Sequence, residues 1–206
     1  MDEAGRGALA GPVVAAAYLF HQIGVEVTGL DDSKKVTRKR RELLFDLLTD
    51  RKIGKWGVGE ASLEEIERHN ILVASQMAMA RALEALGDWS GPILVDGLPA
   101  KHLGREHVAV VGGDGICPSI AAASVVAKVS RDRTLFRFGQ SYPVYGFARN
   151  CGYGTAEHLR ALRDHGPCPI HRRSFLPMGS APVPRLAKQS GGGSVRRAGG
   201  GSLPPA

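Results

Sequence analysis

The sequence predicts a mixed α/β domain, and three observations carry that expectation. A continuous small-apolar run near the start, GPVVAAAYLF from Gly11 to Phe20, has the character of a strand buried on both faces. Two short apolar segments further on, PILVDG from Pro92 to Gly97 and HVAVVGGDG from His107 to Gly115, read as strands that each end near an aspartate. Around them lie helical patterns with recognisable start and stop signals, and strands first with helices interleaved afterwards is the order of a sheet flanked by helices.

Taken in order, the chain opens MDEAGRG, with Asp2 and Glu3 adjacent and Gly5, Arg6 and Gly7 behind them. By position alone, a frayed and solvated end is the ordinary account of such a pair. The buried run follows, and Gly24 with Val25 to Val27 reads as its neighbouring strand. SKKVTRKRRELL, from Ser33 to Leu44, is the densest basic cluster and runs into Leu43, Leu44, Leu47 and Leu48, with Thr37 as the N-cap. A solvated helix face accounts for Arg38 to Arg41, whereas Lys34 and Lys35 precede the helix in a turn, where a phosphate site is easier to build. Ser62 with Glu65 three places later is a capping box, and Asn70 opens a second helical pattern carrying Ile71, Leu72, Met77, Ala80 and Leu83. Pro118 starts a long helix whose Ala-rich half suits close packing on a sheet, and Thr155 caps a last helix that stops at Gly166. No internal repeat is evident.

At 206 residues the chain is long enough for one well-filled core. No apolar run approaches the roughly 20 residues that span a bilayer, and the start lacks the basic-then-apolar order of a signal peptide, so a cytoplasmic protein is expected. The three cysteines are an odd number in a chain too large to depend on disulfides, which fits a reducing compartment. Cys168-Pro-Ile-His171 has the look of a metal pair, but no second Cys/His pair of ligand spacing answers it. The net charge of +7 favours a polyanionic partner. It falls to +3 for residues 1–178 once Arg185, Lys188, Arg196 and Arg197 are set aside, because residues 179–206 form a Gly/Ser/Pro-rich stretch without an acid or an aromatic, read as a flexible basic tail.

Each carboxylate has a structural excuse: Asp96 before Gly97 is a good turn pair, and Asp114 lies among Gly112, Gly113 and Gly115. Both follow apolar strands, however, and ligands in open α/β sheets sit off strand ends. Two bare carboxylates about 4 Å apart repel by roughly 4 kcal/mol at an effective dielectric near 20, so a converging set needs protons or cations at neutral pH. Oxygen-only ligands select Mg²⁺ or Mn²⁺, and two such ions about 3.5 to 4 Å apart suit phosphodiester cleavage.

Five blocks in order, DEAGRGALAGPVVAAA, LDDSKKVTRKRR, ILVDG, GGDGICPSIAAASVVAKVSRDR and YGFARNCGYGTAEHLRALRDHGPCPIHRRSFLP, closely resemble ribonuclease HII, the type 2 ribonuclease H. The resemblance runs from Asp2 to about Pro177. It implies a ribonuclease H-like mixed β-sheet flanked by helices, with a C-terminal helical segment and a disordered tail. It also implies an endoribonuclease that cuts the RNA strand of RNA–DNA hybrids, including on the 5′ side of single ribonucleotides in duplex DNA, with Mg²⁺ or Mn²⁺ as cofactor and two ions in the active complex. The family's catalytic and metal-binding carboxylates fall on Asp2, Glu3, Asp96 and Asp114, while Asp132 looks structural. Its glycine-arginine-glycine motif falls on Gly5, Arg6 and Gly7, which would let backbone approach the minor groove where a 2′-hydroxyl marks ribose. The tyrosine that stacks on the sugar of the next deoxynucleotide falls on Tyr153, otherwise a core or turn residue between two glycines. Lys34, Lys35, Arg172 and Ser174 are expected to meet phosphates, contacts that position a duplex without reading its sequence. A monomer in the cytoplasm, without a membrane partner, is expected.

Two departures qualify the match. Asn150-Cys151 stands where the family usually has His-Lys, with Arg149 as the substitute cation. At the start only Met1 precedes the acid pair, so its strand is expected to lack the half that anchors the acids, with a free α-amino group one residue from a metal ligand. The alternative function is therefore a relative that grips hybrid duplexes but holds metal too poorly to cut. A phosphate-binding protein using GGDG is a third reading, though no glycine loop here has the Lys-Ser/Thr ending of a P-loop.

Overall fold

The computed structural model describes residues 1–22, 24, 27–30 and 37–175. The expected tail, Lys34, Lys35 and most of the Val25 to Val27 segment lie outside the described residues.

Three antiparallel strands form the first sheet, in the order β1 (Asp2–Ala4), β2 (Val13–Phe20) and β3 (Gly54–Ala61). β2 is the central one, which is why its run is apolar throughout: Val13, Ala15 and Ala17 face one layer of the core, Ala16 and Tyr18 the other. The second sheet pairs β4 (Leu94–Asp96) in parallel with β5 (Val108–Val110), so the two mid-chain strands are neighbours. Met1 joins the sheets. Its α-amino group donates to Leu94 O at 2.7 Å and its carbonyl accepts from Asp96 N at 3.0 Å, bracketing Val95 as a parallel strand neighbour would.

Helices cover both faces. α2 (Leu63–Leu86) packs on the side of Val13, Ala15 and Ala17; α1 (Arg38–Leu48) and α3 (Pro118–Ser141) pack on the other. The expected caps are present: the Thr37 hydroxyl accepts from Arg40 N, and Ser62 and Glu65 form the reciprocal capping box. α2 breaks at Asn70, where φ is 66°, and the Asn70 side chain accepts from Leu72 N and Val73 N, starting the second helical run where the sequence placed it. Small α4 (Phe147–Asn150) and α5 (Ala156–His165) close a third apolar cluster with Ala10, Leu135, Tyr145, Cys168 and Ile170.

Two expectations are corrected. The second neighbour of β2 is β3, whose sequence GKWGVGEA carries no apolar alternation; Gly57 and Gly59 are there because a Cβ at either would collide with the α2 backbone. β1, expected to be poorly anchored, is held by β2 on one side and by the Met1 bridge to β4 on the other.

Candidate active site

Three of the four expected acids open on one cavity of about 380 Å³. Asp2 and Glu3 come from β1 and Asp96 from the last position of β4, strands that Met1 ties together. Gly5, Arg6 and Gly7 line the same cavity, as do Tyr153, Arg41, Ser124 and Lys128. Adjacent side chains of a strand alternate, yet both Asp2 and Glu3 reach the cavity, β1 being only three residues long before Gly5 turns the chain at φ +94°.

Asp2 is buried, with 4 % of its surface exposed, while Glu3 and Asp96 are half-buried. Burial, followed by the negative charge of Glu3, pushes the Asp2 carboxyl up to about 7; bonds from the Ser124 hydroxyl and from Glu3 N, at 2.7 Å, pull the other way. Glu3 accepts from Arg6 Nη1 at 3.0 Å, and Asp96 Oδ1 accepts from Gly113 N at 2.7 Å. The Met1 ammonium has its pKa lowered by burial, opposed by the charges of Asp2, Cys117, Asp96 and Glu3.

Asp114 is placed differently from the strand-end expectation. It sits in a single 3₁₀ turn, Gly113–Gly115, beyond the end of β5, and lines a neighbouring cavity with Thr28, Leu30, Cys117 and Pro118. The Gly113 N–Asp96 bond links this turn to the first cavity.

Behind the glycine loop stand two fully buried arginines. Arg131 donates to Pro12 O, Cys151 O and Ala10 O at 3.0, 2.8 and 2.9 Å. Arg172 donates to Gly11 O, Arg6 O and Pro12 O at 2.9, 3.0 and 3.0 Å. Backbone carbonyls take the role that carboxylates take in an ion pair, and burial holds the Arg172 guanidinium down to about 9. Arg172 is thus corrected from a phosphate contact to a scaffold of the loop that carries Arg6: with no exposed surface, it cannot meet a backbone phosphate directly. Gly5 is obligatory in this packing, since a Cβ there would land on Arg131 Nε.

Tyr153 is half-buried beside the cavity, with Lys128 Nζ 5.1 Å and Arg131 Cζ 5.4 Å from its ring centroid. Lys128 is a residue that sequence reasoning missed, although a lone lysine in the run SIAAASVVAKV was a visible signal. It donates to Asp132 Oδ1 at 2.7 Å, with Arg41 3.8 Å from the same carboxylate, so Asp132 is a structural partner as expected. Lys128 and Arg131 are the cations beside the Tyr153 ring, and Arg149, the expected substitute, pairs with Glu157. Asn150 is buried and bonds Tyr145 O and Gly152 N, and Cys151 takes a left-handed φ of 50°. Ser174 is exposed outside this cavity, its N–H donating to the Glu67 carboxylate at 3.2 Å. Cys168 Sγ lies 3.1 Å from His171 Nδ1.

Asp2, Glu3 and Asp96 fit a hard divalent cation in chemistry: they are oxygen donors, and the raised Asp2 carboxyl marks negative charge crowded into a poorly solvated place. Among the described residues no three His, Cys, Asp or Glu side chains are already gathered at ligand distance. Arg6 on Glu3 and Gly113 on Asp96 occupy oxygens that a cation would share.

Comparison with known proteins gives a consistent result. The sequence profile of the Ribonuclease HII family matches residues 1–178. The chain is 52% identical over 178 residues to ribonuclease HII of Sphingopyxis alaskensis, covering 86% of this chain and 88% of that protein. It is 50% identical over 181 residues to that of Paraburkholderia xenovorans, covering 88% and 73%. Among solved structures it is similar to ribonuclease H2 from Pyrococcus horikoshii, with a TM-score of 0.69 at 29% identity over 84% of this chain and 90% of that one. The ribonuclease HII of an Archaeoglobus fulgidus complex with PCNA gives a TM-score of 0.72 at 25% identity, covering 84% and 91%.

Proposed function

This chain belongs to the ribonuclease HII family of metal-dependent endoribonucleases, and from that premise we propose that it cuts the RNA strand of RNA–DNA hybrids, including 5′ of single ribonucleotides embedded in duplex DNA. The observation that carries this reading is the meeting of Asp2, Glu3 and Asp96 with Gly5, Arg6, Gly7 and Tyr153 around one cavity.

Asp2, Glu3 and Asp96, joined by Asp114 from the adjoining turn, are the residues that would hold two ions of Mg²⁺ or Mn²⁺. Such ions, when bound, lower the pKa of an attacking water and stabilise the leaving oxygen. The chain itself supplies the rest. Gly5 and Gly7 keep the loop free of side chains, so that its backbone and Arg6 can approach a 2′-hydroxyl. Arg131 and Arg172 hold that loop by its carbonyls, which fixes the approach before substrate arrives. Tyr153 offers a ring face to the following sugar, and Lys128 and Arg41 add positive charge near the strand. Anchoring of β1 through Met1 supports cleavage over the binding-only alternative, whose premise was a loosely held acid pair.

The test is incubation with a duplex containing one ribonucleotide, with Mg²⁺ and with Mn²⁺. Cleavage on the 5′ side, leaving 3′-hydroxyl and 5′-phosphate ends, is the expected result. Folded protein that binds the duplex but cuts with neither metal would leave the binding-only reading in its place.

A further inference from the structure

Under Tyr153 lies a chain of buried polar contacts that the reaction as described does not use. His158 Nδ1 is 2.9 Å from Tyr153 O, His158 Nε2 is 2.9 Å from His171 Nε2, and His171 Nδ1 is 2.9 Å from Cys168 N and 3.1 Å from Cys168 Sγ. His158 has no exposed surface and His171 has 4 %.

The direction of every proton in this chain is fixed from both ends. A carbonyl oxygen only accepts, so His158 Nδ1 carries the hydrogen and, in the neutral ring, Nε2 is bare. At the other end Cys168 N only donates, so His171 Nδ1 is bare and its Nε2 carries the hydrogen. The two deductions are independent, and they agree: His171 Nε2–H donates to His158 Nε2, the one arrangement of two neutral rings that closes this contact and keeps both end bonds. The 3.3 Å approach of His171 Nδ1 to Cys168 O is the longest of the set and follows from His171 N donating to that carbonyl. Burial lowers the pKa of both rings, His171 further because His158 is beside it, which keeps them in the neutral forms the chain requires.

An apolar pair would fill this space without burying four ring nitrogens, so what the ladder adds is the bond it delivers at its outer end. That end is the carbonyl of Tyr153, between Gly152 and Gly154, which also accepts from Thr155 N at 2.8 Å while Tyr153 N donates to Asn150 O at 3.0 Å, so the histidine supplies a further bond on a backbone that glycines flank on both sides. We propose that His158 and His171 are positioning residues for the cleavage reaction, a one-way hydrogen-bond ladder from Cys168 that sets the backbone, and through it the ring, of Tyr153 at the substrate. The inference rests on the reading of Tyr153 as a substrate contact.

A double-mutant cycle tests it. His158→Leu keeps apolar volume and removes the donor, whereas His158→Asn keeps an N–H near the Nδ1 position. With a duplex bearing one ribonucleotide and Mn²⁺, His158→Leu is expected to lower kcat/KM about tenfold, the scale of one lost buried hydrogen bond, with His158→Asn restoring most of it. In a Tyr153→Ala background neither substitution is expected to change kcat/KM further, because the route by which the histidine acts is gone. Losses that add to that of Tyr153→Ala, or no loss in His158→Leu, would overturn the inference, and so would unchanged cleavage by Tyr153→Ala itself. A measurement on the unmodified protein covers the case of variants that do not fold: ¹⁵N NMR is expected to find His158 protonated at Nδ1 and His171 at Nε2, and the opposite tautomers would overturn the ladder. No cleavage by the parent protein would instead remove the ribonuclease reading, leaving the NMR result to decide the ladder.

Discussion

Arg172 was expected at a phosphate and instead holds backbone. Its place in the resemblance to a nucleic-acid enzyme suggested phosphate, but its three donated bonds go to Gly11, Arg6 and Pro12 carbonyls. Arg172→Ala leaves those buried acceptors unpaired and is expected to cost about 2–4 kcal/mol, read as a fall in Tm. A surface phosphate contact would behave otherwise: Tm unchanged and the salt slope of hybrid binding reduced by about one. Asp96 calls for the opposite experiment. Asp96→Asn keeps an oxygen for Gly113 N, so the fold is retained, while the charge that would hold a cation is lost. Cleavage is expected to fall about 100-fold or more with hybrid affinity kept, as measured by single-turnover kinetics beside a binding assay. Asp2, Glu3 and Tyr153 were legible because their residue types and spacing match a motif. Asp114 was legible as a residue but not in its placement, since a glycine-rich segment leaves the turn after β5 undetermined by local sequence. Lys128 was missed although it is the lone charge in an apolar run, because that run reads as core and nothing local says which way the lysine leaves it.

Elements whose signals are local were readable in advance. The Thr37, Ser62 and Thr155 caps and the Asn70 restart each depend on a side chain bonding a backbone two or three residues away, and all four are present. β3 was missed because its reason is distant: Gly57 and Gly59 make poor strand residues by propensity, and only the close approach of α2 requires them. A Cβ at Gly59 would run into Ala78 O and Ala82 N, both backbone atoms that cannot swing aside. Gly59→Ala is therefore expected to push α2 off the sheet and cost about 1–3 kcal/mol, whereas Ala in place of exposed Gly115, which has open space around it, should cost well under half of that. Denaturant titration of the two variants distinguishes them; equal midpoints would show that α2 does not press on β3.

For the whole molecule, buried titratable groups pull stability against pH in opposite directions, Asp2 one way and His158, His171 and the Met1 ammonium the other. Asp2 has its carboxyl raised from 3.8 to about 7, so the metal-free fold prefers it protonated: this contribution is fully present below about 4 and is lost as pH rises through 7. His171, lowered from 6.5 to about 4, must stay neutral, so its contribution is present above 6.5 and is lost as pH falls toward 4; His158, also lowered by burial, acts in the same direction. Asp2 and His171 oppose each other between 4 and 6.5, and above that range the buried Met1 ammonium, lowered from its ordinary 8.0, opposes the loss from Asp2. A divalent cation works against the loss from Asp2, because it favours the ionised carboxylate that the metal-free fold disfavours. At about 100 times its Kd a ligand bound only by the folded state adds roughly 2.7 kcal/mol, several degrees in Tm for a domain of this size. Mg²⁺ or Mn²⁺ is thus expected to raise Tm by several degrees at pH 8 and by little at pH 5.5, where protons compete for Asp2, and Asp2→Asn is expected to remove most of the gain at pH 8. Calorimetry with and without chelator measures it. A metal-induced gain equal at both pH values, or one that survives Asp2→Asn intact, would mean that the cation binds somewhere other than this pocket.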